Sequence, residues 1–310
     1  MDKDNGGCTM DFRVRTEQEE TNTQTSADFK PLEFLREVLI VFCVVLTLNS
    51  FVLASFVVPT GSMENTVKPG DFLFVNKFIY GGTTPYTIPL TSIRIPHLRL
   101  PGFRSIKRGD VIVFDWPGMR DQVEKPKQAF YLKRCIGLPG DEIKIDHRTI
   151  FINGKRQALP PHGKYLRPES LPAGYPNPNL FPRESDFNED NYGPITIPKK
   201  GDSIHLTTEN FSGWEVFIGR EGHRTMVLDD AILIDGHPTD HYTVERDYVF
   251  AMGDNRDNSL DSRFWGFVPV QDVIGTPMIV FWSWDPNIPI TRPIDKILSI
   301  KPGRIGTILR

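Results

Sequence analysis

From Val38 to Val58 the chain carries no charged residue, and no other feature constrains its fold as strongly. A helix of about 20 residues rises about 30 Å, the thickness of a bilayer's hydrocarbon core. Three structures compete for such a run: a transmembrane anchor, a cleaved targeting peptide and a buried core helix. A targeting peptide opens on a short basic region, whereas here a long polar arm comes first, in which acidic residues outnumber Lys and Arg. The sequence is therefore read as an anchor over residues 34–58 behind a disordered cytoplasmic arm over residues 1–33. Asn49 and Ser50 weaken the run without breaking it. Lys30 and Arg36 lie on one side of it and Lys68 and Lys77 on the other, so the positive-inside count leaves orientation open.

Beyond the run, the apolar residues change period. Phe72–Val75, Val111–Phe114, Ile143–Ile145, Thr149–Ile152 and Met278–Trp282 are short β-branched and aromatic runs bounded by Gly, Pro, Asn and Asp, which predicts strands. Asn153-Gly154 and Asp235-Gly236 each follow an isoleucine-rich run and suit tight hairpin turns needing positive φ. The 26 prolines argue against long helices. The expected fold is mainly β: a single N-terminal transmembrane helix, then an antiparallel β domain built from residues 59–154 and 246–310, with a smaller β and loop unit inserted over 155–245. In that insertion a Pro-rich first half precedes strand runs at Thr225–Leu228 and Ala231–Ile234. Irregularly spaced Gly-Asp pairs at Gly70, Gly109, Gly140, Gly201 and Gly253 are read as turns entering strands, not as a repeat.

A net charge of -3 and a pI near 6.2 give no basic footprint, which argues against a nucleic-acid partner. No Gly-rich phosphate loop is present. Cys8, Cys43 and Cys135 make no disulfide framework. The seven histidines lack metal-ligand spacing, and His97, His162, His223, His237 and His241 fall in polar, turn-rich surroundings. Neither a metal nor another cofactor is expected.

A serine hydroxyl is a poor nucleophile near neutral pH unless a nearby group takes its proton. Ser62 follows the apolar run directly, in Pro59-Thr60-Gly61-Ser62-Met63, and alone it reads as ordinary turn chemistry. Lys133 lies in Tyr131-Leu132-Lys133-Arg134-Cys135-Ile136-Gly137, and alone it reads as a surface lysine with its stem on apolar neighbours. Burial among those neighbours would disfavour the ammonium and lower its pKa from about 10.4 towards neutrality, leaving an amine able to accept a proton. A third segment shifts the balance: Gly253-Asp254-Asn255-Arg256-Asp257-Asn258-Ser259-Leu260-Asp261-Ser262-Arg263 running into Phe264-Trp265-Gly266-Phe267-Val268.

With these three segments in this order, the chain closely resembles the bacterial type I signal peptidase (leader peptidase) family. Lys68-Pro69-Gly70-Asp71 continues the serine box, and Arg108-Gly109-Asp110-Val111-Ile112-Val113-Phe114 matches a further box of that family. The resemblance implies an endopeptidase of the Ser/Lys type that removes N-terminal signal peptides from exported preproteins through an acyl-enzyme. It further implies a single-pass protein of the bacterial cytoplasmic membrane, its catalytic domain on the extracytoplasmic side, with preproteins and the bilayer as partners. Ser62 would be the nucleophile and Lys133 the base, with the oxyanion held by the Ser62 N–H and the Thr60 hydroxyl. Ser259 would hydrogen-bond the lysine amine, and Asp261 would pair with Arg263 as support. The substrate pocket would be walled by Phe56, Val58, Pro59, Met63, Val67, Tyr131 and Leu132. Phe114, Tyr131 and Met252 would form an apolar lining that keeps the amine neutral. Asp254, Arg256 and Asp257 are read as a hydrogen-bonded turn network. Two rivals are weighed: a soluble self-cleaving Ser/Lys repressor, which the apolar run disfavours, and a non-catalytic anchored β domain, which the joint presence of Ser62, Lys133 and Ser259 disfavours.

Overall fold

Sixteen strands and four α-helices are built from the described residues of the computed structural model, 30–82, 99–125 and 128–309. Residues 1–29 of the expected arm, with Cys8, lie outside the described residues, as does His97. The chain divides into two units, Met1–Val44 and Val45–Arg310.

Helix α1 spans Pro31–Phe51 and opens with proline at its first position, where the ring's fixed φ and missing N–H are harmless. Its apolar side chains from Leu32 and Phe34 to Val45 are exposed, as is Leu48. The expected anchor over 34–58 is corrected on two counts. The helix stops at Phe51, and among the described residues no helix is long and apolar enough to cross a membrane. The remainder of the uncharged run is strand: β1, Leu53–Val57, pairs antiparallel with β2, Asp71–Asn76, from Leu53↔Asn76 to Val57↔Phe72. An apolar run without charges does not by itself distinguish helix from strand; here the partner strand supplies the hydrogen bonds that decide.

The next strands in chain order are β3 (Val111–Asp115), β4 (Phe130–Gly137), β5 (Glu142–Asp146), β6 (Thr149–Ile152), β7 (Lys155–Arg156), β8 (Tyr192–Thr196) and β9 (Ser203–His205). Helix α2 (Phe211–Arg220) then precedes β10 (Thr225–Leu228), β11 (Ala231–Ile234), β12 (His237–Pro238), β13 (His241–Thr243) and β14 (Tyr248–Met252). After α3 (Ser262–Trp265) come β15 (Val268–Pro269), β16 (Val273–Ser283) and α4 (Pro293–Leu298). The main sheet runs β1-β2-β16-β3-β4-β14-β15, every pair antiparallel, so strands from before and after the 155–245 segment share one sheet. Smaller sheets are β7-β6-β5-β8, β10-β11-β12 and β13-β9. The fold class is thus mainly β and antiparallel, as expected. Each strand run named from sequence lies in a strand, and both Asn153-Gly154 and Asp235-Gly236 have positive φ at both residues, as tight hairpin turns require. Helix α2 was not expected; its buried face of Phe211, Val216, Phe217 and Ile218 is hidden in sequence by Gly213 and Gly219.

Side chains of the main sheet, with the segments packed on it, fall into three clusters. Ile112, Phe114, Cys135, Val249, Ala251 and Trp265 belong to the first, Met63, Val67, Leu73, Val111, Val113 and Val280 to the second, and Ile136, Phe250 and Met252 to the third. The segment carrying Ser62 caps the second.

Candidate active site

Ser62 lies in a tight loop between β1 and β2. Val58 brackets the loop, its N–H donating to Asp71 O and its carbonyl accepting from Gly70 N, both at 2.9 Å. A turn then closes from Glu64 N to Gly61 O. Lys133 comes from the middle of β4, opposite Ile112 of β3, and shares a strand face with Tyr131 and Cys135. These two unrelated elements bring Lys133 Nζ to 2.5 Å from Ser62 Oγ, within hydrogen-bond distance.

The lysine is 4% exposed. Burial is the largest influence on it and pushes its pKa down to about 8, although the Asp261 charge pulls the other way. Arg263 answers that charge. Its Nε and Nη2 donate to the two Asp261 oxygens at 2.9 Å each, both residues being fully buried. Burial alone would raise the Asp261 pKa, but the Arg263 charge and hydrogen bonds hold it below the usual carboxylate range. Asp261 also caps α3 by accepting from Arg263 N and takes a bond from Gly253 N at 3.2 Å. The remaining Arg263 donors reach Arg256 O and Glu189 O.

The loop after β14 holds the serine from the other side. Asn255 N donates to Ser62 O at 3.0 Å, Asn255 Nδ2 to Gly61 O at 3.2 Å, and Asp254 N contacts Met63 Sδ. Asp254 is gripped by both arms of Arg134, at 2.8 and 2.7 Å, and accepts from the Thr66 hydroxyl. Arg134 neighbours Lys133 on the strand and points to the other face, so one strand supplies the amine and the anchor for the loop opposite. A Cβ on Gly253 would lie 2.2 Å from Ser259 Oγ and 2.6 Å from Ser62 O, so only glycine lets this loop approach so closely.

A cavity of about 390 Å³ opens at Ser62. Its walls include all seven residues expected, Phe56, Val58, Pro59, Met63, Val67, Tyr131 and Leu132, together with Thr60 and Lys133. Phe130, Asn258, Leu260, Leu73 and Val113 also line it and were missed, as were Arg134, Gly253 and Asn255 behind it. Adjacency to Lys133 was the available signal for Arg134, and adjacency to Tyr131 was the signal for Phe130. Thr60 is exposed at the rim, and among the described residues nothing accepts from its hydroxyl or from the Ser62 N–H. Both donors remain open to a ligand oxygen.

Two expectations are corrected. The Ser259 Oγ is buried without a hydrogen-bond partner, so the bond to Lys133 is not formed here; the amine's near neighbour is Ser62 instead. Met252 does not line the amine: it pairs with Arg134, packs in the cluster of Ile136 and Phe250, and accepts from Arg256 Nη1. Alternation along β14 gives the lysine's face to Ala251, which sits opposite Cys135. Phe114 does share that face, fully buried opposite Tyr131, but underlies the cavity instead of lining it. The expected turn network is present in a wider form: Asp257 binds Arg167 and the N–H groups of Leu166 and Arg167. Cys135 is buried, and that burial pushes its thiol up to about 12, so it offers no competing nucleophile.

Chemically, the cleft combines a hydroxyl, an amine whose pKa is brought down to about 8, an open N–H and an open O–H donor, and a largely apolar cavity. Among the described residues, the one grouping of metal-ligating side chains, His205, Asp240 and His241, belongs to β9 and the start of β13 and not to this cleft.

Residues 32–282 match the family described as signal peptidase, peptidase S26. The signal peptidase I of Buchnera aphidicola subsp. Schizaphis graminum is 31% identical over 255 residues, covering 79% of this chain and 72% of its own. That of Pseudomonas aeruginosa is 29% identical, covering 80% and 72%, and that of Helicobacter pylori strain 26695 is 28% identical, covering 81% and 85%. A solved signal peptidase I from Enterococcus faecalis V583 is 21% identical and covers 56% of this chain and 97% of its own at a TM-score of 0.27, so the assignment rests on the sequence matches. The chain belongs to the signal peptidase family, peptidase S26, and is a serine peptidase whose substrates are preproteins bearing signal peptides.

Proposed function

We propose that this protein cleaves signal peptides with a Ser62/Lys133 dyad through an acyl-enzyme. The observation that carries the reading is the 2.5 Å approach of Nζ to Oγ with the amine buried and its pKa brought to about 8. The neutral amine takes the hydroxyl proton as Oγ attacks the scissile carbonyl carbon. The resulting oxyanion is met by the Ser62 N–H and the Thr60 hydroxyl. Collapse expels the new amino terminus of the mature protein, which takes its proton from the Lys133 ammonium. The same amine then deprotonates the water that releases the signal peptide from Ser62. Asp261 and Arg263 neutralise each other behind Lys133, and the carboxylate is kept from holding the proton on the amine.

An extended substrate presents alternate side chains to one face, so the residue before the cut and the one two positions upstream both face the cavity. Apolar walls such as Met63, Val67 and Leu132 exclude bulky side chains there by clash, which favours small residues at both positions. The exposed apolar side chains of α1 are the proposed lipid contact, which would hold the enzyme at the extracytoplasmic surface of the bacterial cytoplasmic membrane where its substrates emerge.

Incubation with a preprotein, followed by mass spectrometry after an acid quench, tests the chemistry. A product cut at the signal junction is expected, with a signal-peptide adduct on the Ser62 peptide for slow substrates. Ser62→Ala and Lys133→Ala should each abolish turnover, while Cys135→Ala should retain it; full turnover by either of the first two would end the dyad reading.

A further inference from the structure

The sequence separates His205 from Asp240 by 35 positions, yet the fold joins them. Strands β9 and β13 pair antiparallel with His205 directly opposite His241, and the two imidazole centroids are 5.1 Å apart. Asp240 stands between them. Its carbonyl lies 3.1 Å from His205 Nδ1 and its Oδ1 lies 2.6 Å from His241 Nδ1. One ligating atom from each of the three side chains falls within 4.8 Å of the others, and all three residues are exposed, so an ion can reach them.

The backbone beneath this group is fixed independently of the side chains. Leu206 N donates to Asp240 O at 2.7 Å, Asn210 Nδ2 to His205 O at 2.9 Å, and Thr239 Oγ1 to His241 O at 2.8 Å. The rings therefore converge because the strand register holds them. We propose that His205, Asp240 and His241 form a binding site for a borderline divalent transition ion such as Zn²⁺, separate from the Ser62 cleft. Two neutral imidazoles and a single carboxylate suit Zn²⁺, whereas Ca²⁺ and Mg²⁺ require more oxygen ligands than this group supplies. Three protein ligands leave a position for water. The bound ion ties β9 to β13 and so closes the base of the segment between them, stabilising the folded chain by binding it in preference to the unfolded one.

Titration of zinc chloride into the untagged full-length protein, followed by isothermal calorimetry and by the thermal unfolding midpoint, tests the site. One saturable equivalent and a raised midpoint are expected, with neither effect from calcium or magnesium chloride. His205→Ala and His241→Ala should each weaken the binding tenfold or more and remove the rise, while their midpoints without zinc match the parent because both side chains are exposed. Zinc should also shift the imidazole resonances of His205 and His241 in the unsubstituted protein, a readout that needs no variant. Absence of saturable binding, or variants that bind zinc as tightly as the parent, would overturn the proposal.

Discussion

Lys133 is governed by opposed effects of unequal size. Burial disfavours its ammonium, the Asp261 carboxylate favours it, and the result is a pKa near 8, so burial wins. The base is active when neutral, so kcat/KM should rise about tenfold per pH unit below 8 and level off above it. A profile flat from mildly acid to alkaline pH would count against the amine as base. Asp261→Asn removes the charge that raises the lysine's pKa while keeping Arg263, which lowers it, so the midpoint of that profile should move to lower pH. The same change leaves a fully buried arginine unpaired and should cost about 3–5 kcal/mol in stability, measurable by denaturant unfolding. Thr60→Val keeps the side chain's shape and removes the hydroxyl; losing one oxyanion donor should lower kcat by a factor on the order of 10²–10³ with the fold unchanged.

Strand β4 does two jobs through its alternation, offering Lys133 on one face and Arg134 on the other. The loop after β14 depends on that division, because the Arg134–Asp254 pair holds it where Asn255 can fix the Ser62 carbonyl. Gly253 sets the distance between loop and serine. Gly253→Ala would press a methyl group against Ser62 O and Ser259, and displacing the nucleophile by about 1 Å should reduce kcat about 10²-fold. Unaltered kcat in that variant would show that the loop is free to retreat. Across the cavity, the rings of Phe56 on β1 and Phe130 on β4 meet edge to face at 5.3 Å and close its end furthest along both strands from the dyad. Phe130→Ala opens that end, so cleavage of substrates with a bulky residue two positions upstream of the preferred small one should rise relative to the parent substrate. A competition assay with paired peptides reads that ratio directly.

For the whole molecule, the division at Val44 makes a prediction about where lipid is bound. A chain beginning at Val45 keeps every strand, the dyad and the cavity but loses most of the exposed apolar surface of α1. It should still cut short signal-derived peptides and should fail to float with phospholipid vesicles. Flotation equal to that of the full chain would move the lipid contact into the second unit. The sequence by itself determined the mainly β class, the hairpin turns at Asn153-Gly154 and Asp235-Gly236, and the candidate pair Ser62 and Lys133, because strand runs, turn residues and local motifs are written in neighbouring positions. It did not determine where α1 ends and β1 begins, since an uncharged apolar run suits either until a partner strand takes its hydrogen bonds. It also misjudged Met252, because a motif names residues but the strand face each one occupies follows from register, and Ser259, whose loop position leaves its hydroxyl buried without a partner. The 2.5 Å meeting of amine and hydroxyl, the Arg134 grip on Asp254 and the gathering of His205 with His241 join positions far apart in the chain, and only the pairing of strands brings such groups together.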